Sequence, residues 1–255
     1  MEDYLQGIKF RELHNGVDIF YKNTHDVNNF FENINFDRDF ILISHNSDGN
    51  ITDNPIRSFD ADVKKSPKNL KKWFGQNLNY ESELIESIPI GLENPEWFPE
   101  VKKISKLFKK NEEEKKINNL VYLNLNIKNN PTERQPIYDM MTNKKYVTIR
   151  YGHNGLDYDT YLNELYNHSF MICPEGNGID VHQPWECLYT GTIPIQKKNI
   201  NNKNWRELPI CWLDEWGQLE DENFLISELN RIKTQKFDKS KLNFSFWKNK
   251  ILNSI

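Results

Sequence analysis

A short segment near residue 180 concentrates side chains whose chemistry suits a polar, phosphorylated ligand. It reads PEGNGIDVHQPWE over residues 174–186 and lies between two apolar runs with the length of buried strands. Gly176 and Gly178 permit a close approach of the backbone, and exposed amide groups in such a loop attract anions. Glu186 supplies a carboxylate that can accept hydrogen bonds from two ribose hydroxyls. The segment therefore predicts a site for an anion or a polar sugar ring.

An ordinary surface turn followed by an amphipathic helix is the alternative explanation. Pro184 stands where the first residue of a helix is favoured and Gly191 where a helix ends, which predicts a helix over residues 184–190. A glycine loop that leads into a helix start is a preferred position for a bound anion. Because the loop, the bracketed helix, the apolar Trp185 and the embedded Glu186 occur together, the pattern favours a ligand site.

The run CPEGNGIDVHQPWECLYTGTIPI resembles the nucleotide-sugar signature of exostosin-like glycosyltransferases, in particular the small soluble type found in large DNA viruses. In that signature, PxGxGxDxHRxWEAL precedes GxIP and a branched residue. The resemblance implies that Glu186 holds the ribose of a nucleotide-diphosphate sugar, and that the loop and helix start face its diphosphate. The other donor-binding residues that it implies in this segment are Gly176, Asn177, Gly178, Asp180, His182 and Gln183.

The chain departs from that signature at Gln183, where the family has an arginine. A guanidinium offers phosphate a charged fork, whereas an amide offers neutral hydrogen bonds. The phosphate charge then falls to Arg134, Arg150, His182 or a lysine. Asn126, eight residues before Arg134, gives a spacing similar to that of sugar transferases in which the arginine reaches the diphosphate. Arg134 is therefore favoured over Arg150, which ends a predicted strand.

A second polar loop, SHNSDGN over residues 44–50, directly follows the predicted strand FILIS. Ligands of open parallel sheets bind beyond the carboxyl ends of the strands, which directs His45 and Asp48 towards the ligand. Either side chain is able to take the proton of an acceptor hydroxyl, and Asp48 is favoured as this base. Similar HNSD segments occur in the family. The alternative is a tight turn, because Asn, Ser, Asp and Gly are its usual residues.

Two further segments of the N-terminal half are similar to the family, WFGQN at residues 73–77 and IPIGLEN at residues 88–94. They give Gln76, Asn77 and Glu93 as acceptor-side contacts. The alternative for the second segment is that its Pro-Ile-Gly closes a strand.

Strands and helices alternate along the chain, which predicts an α/β protein with parallel sheets. The resemblance implies a GT-B-like fold, two doubly wound Rossmann-like lobes that face a cleft. The run KKNEEEKK, residues 109–116, contains no apolar residue and is typical of a solvated connector. It predicts a boundary between an acceptor-side lobe, residues 1–112, and a nucleotide-sugar lobe, residues 113–240. Residues 241–255 are expected to cross back onto the first lobe as a helix. Ser66 and Pro67 in capping positions predict a further helix over residues 67–74.

Composition limits the partners. The 255 residues carry 33 basic and 37 acidic side chains, a net charge of −4 that gives no field for nucleic acid. The three cysteines lack CxxC spacing and indicate a reduced, cytoplasmic protein, in host cytoplasm if the chain is viral. Without a leader or a membrane-spanning stretch, we expect a soluble protein. The acidic triplets follow no clear strand, so no metal or cofactor is expected beyond the nucleotide-sugar cosubstrate.

The sequence therefore predicts a glycosyltransferase that moves a sugar from a nucleotide-diphosphate donor, favoured to be a UDP-sugar, to a glycan or glycoprotein hydroxyl. Inversion at the sugar carbon is implied by the resemblance. One alternative is a non-catalytic module that binds nucleotide sugar or glycan, in which Gln183 marks a decayed donor site. A Rossmann oxidoreductase is disfavoured, because GNGIDVHQP lacks the third glycine of GxGxxG and lies late in the chain.

Overall fold

The computed structural model describes residues 3–105, 119–151 and 156–254. We call residues 3–105 the N-terminal half and the other two ranges the C-terminal half. The strands are β1 (Ile19–Asn23), β2 (Phe40–His45), β3 (Ile51–Thr52), β4 (Ala61–Asp62), β5 (Leu70–Gly75), β6 (Ile85–Ser87), β7 (Asn119–Leu125), β8 (Val147–Tyr151), β9 (His168–Ile172), β10 (Ile193–Lys197) and β11 (Cys211–Leu213). The α-helices are α1 (Gly7–Arg11), α2 (Val27–Asn33), α3 (Pro131–Met141), α4 (Tyr158–Tyr166), α5 (His182–Thr190), α6 (Glu222–Thr234) and α7 (Phe244–Leu252). Within these ranges, no helix combines the length and the apolar composition that a membrane crossing requires.

Two parallel sheets form the framework, which confirms the predicted α/β class. The first sheet has the order β1-β2-β5-β6, and the second has the order β11-β10-β9-β7-β8. Every neighbouring pair in both sheets is parallel. Strands β3 and β4 pair separately. In parallel sheets the carboxyl ends of all strands lie at one edge, so each half gathers its post-strand loops at one place.

The strand order reverses only in the second of these two described sheets. There β7 lies between β8 and β9, so the chain adds one strand on one side and the next three on the other. The gap between β7 and β9 is therefore a switch point, where ligands of doubly wound sheets bind. In the first sheet the strands follow chain order and β1 stays at the edge. The expectation of two doubly wound sheets is thus wrong for the N-terminal half, because each connection there steps in the same direction.

Strand β2 explains why FILIS is an unbroken apolar run. Side chains alternate between the faces of a strand, and both faces of β2 are covered. Phe40 and Leu42 lie in an apolar cluster on one face, while Ile41 and Ile43 lie in a cluster on the other. All four side chains are almost fully buried.

The predicted helix over residues 67–74 is wrong, because β5 occupies most of it. The amide of Leu70 donates to the carbonyl of Pro67 in a turn, and the chain then extends between β2 and β6. Trp73 and Phe74 fall in the clusters on opposite faces of the sheet. Their spacing fits a helix, but burial between two neighbouring strands decides the structure.

One apolar cluster joins the two halves. It contains Ile43 and Phe74 from the first sheet, Trp185 from α5 and Trp247 from α7. Helix α7 also touches the start of the chain, where the ring of Phe244 lies 5.2 Å from that of Phe10, edge to face. The two sheets are therefore held by a shared core. The boundary predicted at residue 112 lies outside the described residues.

Candidate functional site

The signature loop, residues 174–183, lies at the switch point of the second sheet. It follows β9, the strand between β7 and β10, and leads into α5. Helix α5 begins at His182, earlier than predicted, so Pro184 is its third residue. Gly191 ends it with φ 72°, in the left-handed region that glycine adopts freely. Among the described residues no side chain caps the amino end of α5. Its free amide groups therefore remain available to an anion.

Packing against protein, rather than against a ligand, explains the two glycines. A Cβ at Gly176 would lie 2.9 Å from a guanidinium nitrogen of Arg134. A Cβ at Gly178 would lie 2.6 Å from the amide nitrogen of Asn77 in the N-terminal half. The sequence predicted exposed amide groups in this loop. The amide of Gly176 instead donates to the carbonyl of Gly178. Asn177, between them, is exposed to solvent.

Asp180 joins the two halves. Its buried carboxylate accepts the backbone N–H of Ile90 at 2.7 Å, that of Val181 at 3.0 Å and the indole N–H of Trp185 at 3.2 Å. Its own amide donates to Asn77. Burial raises the pKa of Asp180 to about 6, and these hydrogen bonds oppose the rise. Protein groups thus occupy the carboxylate, and the implied contact of Asp180 with the donor stays a prediction.

His182 forms a second contact between the halves. Its Nδ1 lies 2.8 Å from the carbonyl of Gly91, and its Nε2 lies 3.2 Å from the carboxylate of Glu93. Both partners are acceptors, so the ring must carry a proton on each nitrogen. Burial alone would lower the pKa of His182, but Glu93 and the Gly91 carbonyl raise it. The side chains of His182 and Glu93 are 30% and 29% exposed. Neither is closed off from a ligand.

Gln183 and Asn126 lie on either side of the switch point. The amide of Gln183 donates to the carbonyl of Asn124 at the end of β7, at 2.7 Å. The side chain of Asn126 accepts the amide of Lys128 and so caps the short turn after β7. Asn126 thus shapes the loop, while Gln183 ties α5 to β7.

Arg134 lies beneath the signature loop and holds it. Its Nε donates to the carbonyl of Glu175 at 2.7 Å, and its other nitrogens reach Asn126 and Pro174. The side chain is 5% exposed. Among the described residues, no carboxylate forms an ion pair with it. Burial lowers the pKa of Arg134, and the nearby charge of Glu133 opposes this effect. A bound anion would stabilise the buried cation further, so its position favours an anion site.

Arg150 has a different environment. It is exposed, and its Nε and Nη2 both bond to one carboxylate oxygen of Glu164, at 3.1 and 2.7 Å. The charge of Arg150 is therefore already paired, whereas that of Arg134 is not.

Glu186 lies one turn into α5, with 8% of its surface exposed. One carboxylate oxygen accepts the hydroxyl of Tyr158 at 2.9 Å, and the other accepts that of Tyr161 at 2.6 Å. Each oxygen keeps a second lone pair for another hydroxyl. Burial, followed by the Glu186 charge, raises the pKa of both tyrosines, so they stay protonated donors. Sequence reasoning missed both tyrosines, although their spacing of three on α4 puts them on one face.

His45 is fully buried. Its Nε2 lies 3.1 Å from the carbonyl of Pro89, and its Nδ1 contacts Asn46. Burial lowers the pKa of His45 to about 4. Burial and these contacts disfavour His45 as the base relative to the exposed Asp48, and the choice between them stays a prediction.

Three other predicted site residues lie in the N-terminal half, two buried amides and one exposed carboxylate. Gln76 and Asn77 are buried, and the amides of both donate to the carbonyl of Ser47. They hold the loop over residues 44–50, and their assignment as acceptor contacts stays a prediction. Asp48 at the tip of that loop is exposed. Of the two predicted general bases, Asp48 is the one that solvent reaches.

Arg57 connects the two loops and was missed by sequence reasoning. One guanidinium nitrogen donates to the carbonyl of Asn177 at 2.6 Å and another to the carbonyl of Asp48 at 2.9 Å. The buried carboxylate of Asp60 accepts from its Nε at 3.0 Å and fixes its direction. The local sequence indicates only an ion pair between Arg57 and Asp60, three residues later. Nothing in the sequence predicts that Arg57 contacts residue 177.

The assembled groups suit a hydroxylated, phosphorylated ligand. A carboxylate with spare lone pairs at Glu186 lies on the helix whose amino end is uncapped, and Arg134 and Arg57 flank the loop before it. Hydroxyls bind carboxylates, while phosphates bind helix starts and guanidinium groups. No model of a known protein family matches the chain, and a search of curated proteins found no match either.

Proposed function

We infer that the protein is a glycosyltransferase that uses a nucleotide-diphosphate sugar, with a UDP-sugar as the favoured donor. The environment of Glu186 carries this proposal. A carboxylate fixed by two tyrosine hydroxyls, beside the switch point of a doubly wound sheet, is pre-organised to accept two ribose hydroxyls. In this role Tyr158 and Tyr161 orient Glu186.

The diphosphate needs positive charge, which the signature arginine of the resembling family would supply. Here the uncapped start of α5 supports that role, together with the unpaired charge of Arg134 beneath the loop. Arg57 holds the signature loop through the carbonyl of Asn177, while its own charge is paired with Asp60. Gln183 then serves to fix α5 against β7.

The acceptor enters from the N-terminal half, and Asp48 takes the proton from its hydroxyl. The exposure of Asp48, and its link through Arg57 to Asn177, support this assignment. Glu93, half-buried beside His182, is the remaining acceptor-side residue. The two sheets then act as the facing halves of a GT-B enzyme. Transfer with inversion and without a metal belongs to the same proposal, and activity that EDTA abolishes would contradict it.

A thermal-shift series with UDP, GDP, CMP and NAD tests the donor site. UDP at one hundred times its dissociation constant adds about 2.7 kcal/mol to the unfolding free energy, which raises Tm by about 5 °C. Glu186→Gln should weaken UDP binding roughly 30-fold, the cost of about 2 kcal/mol for hydrogen bonds to a charged group. Glu12→Gln, at an exposed position on the N-terminal half, is the matched control.

Stabilisation by NAD instead of UDP would contradict the proposal, as would UDP binding that is equal in Glu186→Gln and wild type. Hydrolysis of a bound UDP-sugar, followed by the released sugar, tests turnover separately.

A non-catalytic nucleotide-sugar or glycan-binding module is the second candidate. One observation favours it, the side chain of Gln183, which stands in place of a charged residue and is engaged with a backbone carbonyl. This module would bind UDP and lose that binding in Glu186→Gln, yet release no sugar with any acceptor. Turnover therefore separates the two candidates.

A further inference from the structure

A groove of about 690 Å³ runs between the two halves next to the signature loop. One wall consists of β6 and residues 78–84, which follow β5, and the other consists of residues 199–206, which follow β10. Residues 199–206 lie at the carboxyl end of β10, whereas residues 80–84 lead into the start of β6, the last strand of the first sheet. The groove thus follows the β6 edge of the first sheet and faces a loop of the second, a concave position between two packed units where ligands bind.

One hydrogen bond connects the groove wall with the signature loop. The side-chain amide of Asn199 in its wall donates to the carboxylate of Glu175 in the signature loop, at 3.0 Å. Asn201, in the same segment, accepts the amide of Leu78 from the opposite half at 2.9 Å. The wall of the groove therefore borders the loop that we assign to the donor.

The charges of the groove balance. Its lining includes the cations Lys72, Lys203 and Arg206 and the carboxylates Glu81, Glu83 and Glu86. Lys203 and Glu81 form an ion pair at 3.3 Å, and Lys72 and Glu86 approach to 3.9 Å. Such a surface attracts neither polyanions nor polycations, since the opposite charges cancel at short range. The lining favours an uncharged ligand.

The remaining lining combines hydrogen-bonding and apolar groups. Asn199 and Ser82 offer donors and acceptors, while Tyr80, Leu78 and Ile200 offer apolar surface. A saccharide presents hydroxyls around its rim and C–H groups on its faces, so it matches this mixture. A tyrosine suits it in particular, because its ring packs on apolar atoms while its hydroxyl stays wet.

We propose that this groove binds the acceptor of the transfer reaction, a short uncharged oligosaccharide, with Tyr80 as a packing surface. The assignment of this ligand as acceptor rests on the proposed function, but the binding of an oligosaccharide in the groove is measurable without any donor. The groove size suits a ligand of a few sugar rings.

Paramagnetic labelling locates the ligand directly. The native cysteines are buried, so a nitroxide reagent reacts with an introduced cysteine. Lys203→Cys places the label in the groove wall, and Val17→Cys places it on an exposed position before β1, the strand at the edge of the first sheet opposite β6. The probes are tetrasaccharides of glucose, mannose, xylose and N-acetylglucosamine. We expect proton resonances of at least one probe to broaden with the first label and to stay sharp with the second.

Tyr80→Ala should weaken that probe's affinity at least tenfold, while Trp97→Ala, an exposed aromatic residue outside the groove lining, should leave it unchanged. Equal broadening from both labels, or no binding by any probe, would overturn the proposal. UDP-induced stabilisation is measured on the same proteins. If the probe binds the groove while UDP fails to stabilise the chain, the donor assignment is lost and the groove remains a saccharide site.

Discussion

The loop over residues 44–50 and the signature loop follow central strands, β2 and β9, and both are rich in Gly, Asn and Asp. They use these residues differently. In the first loop, the side chains of His45 and Asn46 bond to their own half of the molecule. In the signature loop, Asp180 and His182 reach the other half.

This difference separates residues that build a loop from residues that are free to act. Asn46 has φ 54°, a left-handed conformation that asparagine tolerates, and its side chain contacts His45. In the signature loop, Asp180 joins the halves. The groups that remain for a ligand are Asp48 in one loop and, beyond the other, Glu186 in α5. The same residue types thus serve structure in most positions and chemistry in few.

The largest effect on stability is expected for Asp180→Ala. The substitution leaves the N–H groups of Ile90, Val181 and Trp185 buried without an acceptor, at a cost of about 3 kcal/mol of unfolding free energy. Denaturant unfolding measures it. Asp180→Asn keeps one acceptor oxygen and should lie between wild type and Asp180→Ala. A loss below about 0.5 kcal/mol would show that this joint does not hold the halves.

Gly178→Ala should have a smaller effect in the same place. The added methyl group lies 2.6 Å from the amide nitrogen of Asn77, so one side chain must shift, at a cost of about 1–2 kcal/mol. Gly217→Ala is the matched control, because its Cβ would meet no atom within 4 Å. Equal denaturation midpoints for the two variants would contradict tight packing of the signature loop on the N-terminal half.

Local patterns predicted the fold where an element's own residues determine it. The run FILIS gives β2, because burial on two faces leaves an apolar pattern, and Pro184 with Gly191 gives most of α5. Residues 67–74 carried helix signals, yet they form β5, since strands on both sides bury Trp73 and Phe74. That burial depends on distant strands, which a local pattern does not contain.

The candidate site was predictable to the level of the segment. The sequence singled out the loop and helix around Glu186, and the structure brings this segment to the switch point of a parallel sheet. It did not reveal that Gln76, Asn77 and Asp180 bond to protein, because those bonds join residues up to 103 positions apart. Arg57 was missed for the same reason, being 120 positions from its partner Asn177.

A modest and pH-dependent effect is expected at the contact between His182 and Glu93. The pKa of His182 is raised in the folded protein. Its contribution to the unfolding free energy is therefore complete below the ordinary pKa of 6.5 and is lost as pH rises through the folded-state pKa. Despite the opposing effect of burial, the pKa of Glu93 is lowered by His182. The contribution of Glu93 to the unfolding free energy is therefore complete above the ordinary pKa of 4.5 and is lost as pH falls through the folded-state pKa. The pair contributes about 1 kcal/mol between these values, since both side chains are partly exposed.

Unfolding free energies of wild type, His182→Gln and Glu93→Gln across pH 4 to 9 measure this contribution. The difference between wild type and each variant should be largest between about pH 4.5 and 6.5 and should shrink on both sides. A difference that does not vary with pH would mean that the contact is not an ion pair.

The smallest effect on stability, with a large effect on turnover, is expected for Asp48→Asn. The side chain is exposed, and the contact with Arg57 uses its backbone carbonyl, which the substitution preserves. Unfolding free energy should therefore change by less than about 0.5 kcal/mol. Transfer should fall roughly 100-fold or more, because an amide cannot take the acceptor's proton.

Hydrolysis and transfer assays with a UDP-sugar, run beside denaturant unfolding, measure both quantities for Asp48→Asn. Asp53→Asn, a nearby acid in the same connection, is the control and should leave transfer unchanged. If Asp48→Asn transfers sugar at the wild-type rate, the loop over residues 44–50 is purely structural. The contrast between the two loops would then be complete, because the first loop would hold no group that takes part in the transfer.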